Sequence, residues 1–315
     1  MSGDLTALAV ILLRLVQYSA ASVLMGSALF FVYALPSEGP AAAASLRWPR
    51  PLLMSAALVL LVATVIGLVA QTAVLAGSLA DALTAQSLGA VLTQVDLGKA
   101  ALARASLALL AAIYIGAAAR SRAPWIGTGL LGALATATFG WMGHGVATDG
   151  GGHALHLAAD VVHALAAAVW LGALAAFVGL LASPRQGLDR LTVTADALTR
   201  FSPLGIALVA TLAATGLVNA WFLVGRHVVM ALRDPYGQLL ALKLALFAGM
   251  LALAALHRQK SVPALAARIA SQALPQGDAL ASLRRSVMAE ALLGLAVLAL
   301  VAWFGTLEPP NAMAM

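Results

Sequence analysis

The sequence holds no cysteine among its 315 residues. Disulfides, thiolate metal sites and cysteine nucleophiles are therefore excluded. Charge is scarce too: Asp, Glu, Lys and Arg make up 10% of the chain, against 62% hydrophobic residues. Soluble domains carry about 25% charged residues, and a chain this poor in them cannot cover its surface with solvated groups. A soluble enzyme, a disordered chain and a disulfide scaffold are excluded on that ground. No segment alternates apolar and polar residues as a barrel strand does. No G-x-x-x-x-G-K-[ST] motif is present either, and no loop is long enough for a nucleotide-binding domain.

What is present is apolar helix. A bilayer core of about 30 Å needs about 20 apolar residues in helix. Eight stretches meet that length: Leu5–Leu35, Pro51–Ser78, Lys99–Ala119, Pro124–Gly143, His153–Ala182, Phe201–Val224, Gly237–Leu256 and Ser286–Gly305. The fold class expected is an all-α integral membrane protein, about eight spans in one bundle, forming a single polytopic domain over residues 1–315. The first stretch is too long, and its flank too acidic, for a cleaved signal peptide, so it reads as a retained helix. Two connecting segments, Leu188–Thr199 and Val262–Leu283, are helix-prone and read as lying along the membrane surface.

The net charge of +6 resolves by side. Alternate loops hold Arg47, Arg50, Arg120, Arg122, Arg185, Arg190, Arg200, Arg258, Lys260, Arg268, Arg284 and Arg285, which is 12 of the 18 basic residues. The opposite loops hold Arg226 and Arg233, with Lys99 at a helix mouth. The positive-inside rule places the rich side in the cytoplasm and both termini outside. The basic excess is thus a topological signal, and nucleic-acid binding loses its support.

Five charged residues remain within spans: Arg14, Arg104, Lys243, Asp160 and Glu290. Each costs at least about 2.5–3.5 kcal/mol to insert, so each needs a partner or a cavity. All but Glu290 fall in the outer half on this topology. One bland reading is that Asp160 neutralises a buried cation such as Arg14 or Lys243.

The histidines add a pattern. Four of the six fall within twenty residues: His144, His153, His156 and His163. Positions 153, 156, 160 and 163 are spaced i+3, i+4, i+3, which aligns them on one helix face. His144 closes the fourth span at the same membrane face, across a glycine-rich loop. Imidazole is the commonest metal ligand and suits copper, zinc, iron and nickel. His144, His153, His156, Asp160 and His163 are therefore the candidate metal ligands, led by His156 and His163. Arg14, Arg104, Lys243 and Glu290 are candidate supporting or gating charges. Thioethers favour Cu(I), and Met142 precedes His144 by two residues; His227, Met230, Met313 and Met315 are further donors on the outer side. His257, beside Arg258, reads as a solvated helix end.

At these residues the chain resembles the CopD (copper resistance protein D) family of bacterial inner-membrane proteins. The resemblance is carried by His144, then His156, Asp160, His163 and Val169-Trp170-Leu171-Gly172. It continues through Phe201-Ser202-Pro203, Thr215-Gly216, Asn219-Ala220, Tyr236-Gly237, Lys243 and Arg258. Leu283-Arg284-Arg285-Ser286-Val287 with Glu290, and Pro309-Pro310, complete it. In the third span, Asp96-Leu97-Gly98 and Arg104 fit more loosely. The likeness runs over most of the chain and is best over about residues 136–310. It implies copper import or tolerance, beside a periplasmic copper-binding partner.

Two functions fit these residues. In the first, copper meets the outer histidines and passes to Asp160 and His163, through a channel or a gradient-driven carrier. In the second, a haem b is held by two of His144, His156 and His163, with the cations binding its propionates, as in membrane cytochromes b. That protein would act on quinol or periplasmic copper.

Overall fold

A computed structural model describes residues 2–36, 42–43, 45–118, 123–142, 152–182, 188–225, 233–261, 263–265, 267 and 277–307. Among the described residues there are helices and turns and no strand. Helix α1 runs over Ser2–Ser22, passes through a π turn at Val23–Ser27 and continues as Ala28–Tyr33. Helix α2 is Pro49–Ala76, with proline in its first turn, where the missing N–H costs nothing. Gly77, at φ 81°, ends it in the left-handed conformation that glycine adopts freely. Two short helices follow, α3 (Leu79–Ala82) and α4 (Ala85–Gln94). Ser78 and Thr84 cap them, their hydroxyl oxygens accepting from the backbone N–H of Asp81 (3.1 Å) and Ser87 (3.3 Å).

The remaining helices are α5 (Asp96–Ala117), α6 (Ala123–Ala137, extended by a 3₁₀ turn Thr138–Met142) and α7 (His153–Leu181). Then come α8 (Leu188–Leu223), α9 (Pro235–Leu256, extended by a π turn His257–Ser261) and α10 (Gly277–Phe304). Seven of the helices are long and apolar enough to cross a membrane. The fourth expected span is α6 with its 3₁₀ turn, shorter than the rest. The expected bundle of about eight helices is thus observed.

One segment differs from expectation. Leu188–Thr199 is the first part of α8, which continues through Pro203. Ala195, Ala197 and Leu198 are buried in the core, so packing on one face holds the segment in line. Likewise α10 starts at Gly277, inside the stretch expected to lie on the surface.

The first half of the chain packs α1 on α2, α2 on α5 and α5 on α6. Helix α7 is central and touches α1, α6, α8 and α10, while α9 packs on α10. Small residues let helices in lipid approach closely. At the π turn of α1, Gly26 lies against Gly172 of α7 so tightly that a Cβ on it would sit 2.9 Å from Gly172 Cα. Ser27 Oγ donates to the Gly172 carbonyl at 2.7 Å. The end of α1 is fixed on α7 by Phe30 and Phe177, edge to face at 4.7 Å, a pairing worth about 0.5–1.5 kcal/mol beyond its buried area. This clasp sets α7 against α1 and leaves a cavity along its other flank.

Candidate functional site

Helix α7 begins at His153, after Gly152. A Cβ on Gly152 would meet the Phe222 ring at 2.6 Å, so glycine there allows α8 to close against the start of α7. The helix places His156, Asp160 and His163 on the flank facing α8, and α8 answers each of them. The His156 ring is buried and stacks on Phe222, centroids 4.7 Å apart and planes 11° from parallel. Asn219 Nδ2 donates to Asp160 Oδ1 at 3.2 Å. His163 Nδ1 lies 2.9 Å from Thr215 Oγ1. Residues 215, 219 and 222 are spaced i, i+4, i+7, so three rungs join two helices.

The hydrogen bonds assign the His163 proton. Thr215 Oγ1 donates its one hydrogen to the Thr211 carbonyl, at 2.6 Å. With its hydrogen there it accepts from the imidazole, and in that arrangement Nδ1 carries the proton and Nε2 keeps its lone pair. This is the arrangement that orients metal-binding histidines, in which the ring nitrogen away from the metal donates to a fixed oxygen.

A cavity of about 530 Å³ opens between α7, α8, α9 and α10, with α1 behind it. His156, Asp160 and His163 line it, together with Asn219, Lys243 and Arg14. Arg14 is buried, and its Nη1 donates to the Gly305 carbonyl at the end of α10 (2.8 Å). Lys243 Nζ lies 5.6 Å from the centre of the Phe304 ring. Both cations therefore converge on the end of α10. Asp160 and Lys243 attract each other across the cavity, yet no carboxylate lies within 4.0 Å of either cation among the described residues. Met142 also lines the cavity.

Other expected residues lie elsewhere. His153 is half-buried and does not line the cavity. Arg104 is 0% exposed and faces away from it, donating from Nε to Thr138 Oγ1 and from Nη1 to Gln17 Oε1, both at 2.9 Å. Its guanidinium lies 4.0 Å over the Phe139 ring. Gln17 Nε2 donates in turn to the Ala63 carbonyl at 3.2 Å, so Arg104 ties α5 to α6, α1 and, through Gln17, α2. No three His, Asp or Glu side chains converge as a metal site among the described residues. His144, His227, Met230, Met313 and Met315 lie outside the described residues.

Glu290 and His257 form a second polar cluster. His257 is not a solvated helix end: it is 7% exposed. The π turn at the end of α9 swings it inward, where Nδ1 lies 3.2 Å from Glu290 Oε2 and Nε2 lies 2.7 Å from Ser286 Oγ. Its neighbours Arg258 and Lys260 stay exposed, which is why its surroundings read as solvated. The partners Thr215, Asn219 and Phe222 carried a signal in their own helical spacing, aligned against His163, Asp160 and His156.

Fold and cavity together define a multi-pass α-helical membrane protein with a largely apolar cavity, carrying a few polar side chains, between its last four long helices. Comparison with known proteins fixes its kinship. Residues 4–154 match the family model described as copper resistance protein D-like, N-terminal domain, and residues 195–304 match that described as copper resistance protein D. The chain is 33% identical over 304 residues to the copper resistance protein D of Pseudomonas syringae pv. tomato, covering 95% of this chain and 96% of that protein. It is 30% identical over 151 residues to the copper transport protein CutJ of Bacillus subtilis (strain 168), covering 48% of this chain and 25% of that protein. The chain belongs to the copper resistance protein D family. No solved structure matches it significantly.

Proposed function

We propose that this protein handles copper in the bacterial inner membrane, taking the ion from the periplasmic side and passing it inward through the cavity beside α7. The observation that carries this reading is the contact of His163 Nδ1 with Thr215 Oγ1, which supports a tautomer with its Nε2 lone pair available in a residue that lines the cavity. His156, Asp160 and His163 hold the ion in turn. His153 and His144 receive it at the mouth, from a periplasmic copper-binding protein. Kinship with proteins named for copper resistance and copper transport selects copper among the metals that imidazole suits.

Arg14 and Lys243 then have a role. Two cations facing one carboxylate make the cavity net positive, which raises the energy of a resident metal ion. Such a site releases copper instead of storing it. On this reading both termini face the periplasm, which the basic loops support, and residues 1–315 act as one membrane unit. The haem reading fares less well, because His156 and His163 rise from one face of one helix. A haem ligated from both sides would need His144 as its second ligand.

Copper uptake into vesicles holding the purified protein tests the proposal. Uptake is expected to fall about tenfold or more with His163→Ala and with Asp160→Asn, as for loss of a ligand or of a supporting carboxylate. Undiminished uptake by both variants would overturn it.

A further inference from the structure

We propose that Ser286, His257, Glu290 and Trp170 form a proton-binding site at the inner end of the cavity, loaded and unloaded as the protein works. Glu290 is 2% exposed and comes from α10. Its Oε1 accepts from Trp170 Nε1 of α7 at 2.9 Å, and its Oε2 meets His257 Nδ1 of α9 at 3.2 Å. His257 Nε2 meets Ser286 Oγ of α10 at 2.7 Å. Four side chains on three helices thus make one chain of hydrogen bonds, buried at its centre.

The protons can be counted. With a neutral imidazole, Ser286 donates to Nε2, and Nδ1–H and the indole N–H both donate to the carboxylate. Every partner is satisfied, but the cluster carries one buried negative charge. One proton from water adds to Nε2 as a new N–H bond, leaving hydroxide or a neutral water behind according to its source. The Ser286 hydroxyl turns its hydrogen away and accepts. All three contacts survive, no heavy atom moves, and the buried charge becomes a neutral pair of imidazolium and carboxylate. A buried charge is expensive unless paired, so the cluster is built to exchange one proton.

Its setting suits that exchange. Arg258 and Lys260 on the π turn, Arg284 and Arg285 on α10, and Asp196 and Arg200 on α8 are all exposed; buried Arg14 of α1, which also packs on α10, binds the Gly305 carbonyl beyond the opposite end of that helix, and Asp160 of α7 lies ten residues before Trp170. On α7 the next titratable residue is His163, seven residues away from Trp170, which is about 10 Å along the helix. Lys243, on α9, lies fourteen residues before His257. No other titratable group enters the cluster among the described residues. Trp170 faces both ways: its indole holds Glu290, and its side chain lines the cavity and packs edge-on against Phe247 at 5.9 Å. A change in cavity contents therefore reaches the proton site through one side chain. The coupling of this proton to cargo rests on the copper reading above; the site itself does not.

Two measurements separate those claims. In the full-length protein in detergent, labelled with ¹⁵N at Trp and His, the Trp170 indole and His257 ring signals should move together in one titration over the pH range in which the protein stays folded. Glu290→Gln should abolish the Trp170 response. Ser286→Ala, the milder change, should keep a joint titration with a shifted midpoint, and it serves if the Glu290 variant does not fold. Signals of the folded wild type that stay flat across that range, or that titrate independently, overturn the site. In proteoliposomes with an internal pH dye and a copper gradient, wild type should move protons with copper, and Glu290→Gln should lose the proton movement. Copper uptake without proton movement in wild type overturns the coupling. If wild type takes up no copper, the copper reading fails, and the proton site stands or falls by the titration.

Discussion

Replacing Thr215 with Val keeps the shape of α8 and removes the oxygen that holds His163 Nδ1–H. The lost contact is one neutral hydrogen bond of 2.9 Å, whose acceptor is itself anchored at 2.6 Å to the Thr211 carbonyl. Such a bond contributes about 0.5–1.5 kcal/mol, or about 2- to 13-fold in an equilibrium constant. Removing groups that orient a metal-binding histidine costs about 10–100-fold in metal affinity. The two ranges meet near tenfold. Competition of the purified protein with a chromophoric Cu(I) chelator should therefore show about tenfold weaker binding for Thr215→Val. Thr215→Ser, which retains the hydroxyl, should stay close to wild type. If both variants bind like wild type while His163→Ala does not, the tautomer argument is wrong. If His163→Ala also binds normally, His163 is no ligand.

Three further outcomes follow from the same geometry. Lys243→Met should tighten copper binding several-fold, because it removes a cation lining the same cavity as His156, Asp160 and His163; unchanged affinity would remove Lys243 as a gating charge. Arg104→Met should leave copper affinity within about twofold of wild type, since Arg104 binds Thr138 and Gln17 and does not line the cavity; a larger change would show that it acts through Phe139, which it overlies and which does line the cavity. Gly172→Val would push a side chain into Gly26 and the Ser22 carbonyl, costing at least about 1–3 kcal/mol. That loss should appear as a lower unfolding temperature in detergent, and an unaltered temperature would contradict the close crossing of α1 and α7.

The spans were legible because membrane length and apolarity are local properties. The features missed arise from contacts between distant residues. Leu188–Thr199 carries enough polar residues to read as a surface segment, but Ala195, Ala197 and Leu198 bury one face and join it to α8. Helices α3 and α4 are shorter than any span, and their sign was the capping pair Ser78 and Thr84. The π turn at Val23–Ser27 packs against Gly172, far along the chain. In the site, helical spacing alone aligned His156, Asp160 and His163. It did not show that His153 lies outside the cavity lining, or that Arg104 turns away. His257 was misread because sequence proximity to Arg258 and Lys260 says nothing of a π turn that rotates one residue inward.

The central claim is that the cavity beside α7 holds copper through His156, Asp160 and His163. Metal analysis and an absorption spectrum on one purified preparation test it most directly. The account predicts that added copper binds up to about one ion per chain, with no Soret band, and that this binding is lost on changing His156 and His163 together to Ala. A Soret band, or copper fully retained by the folded double variant, would contradict it.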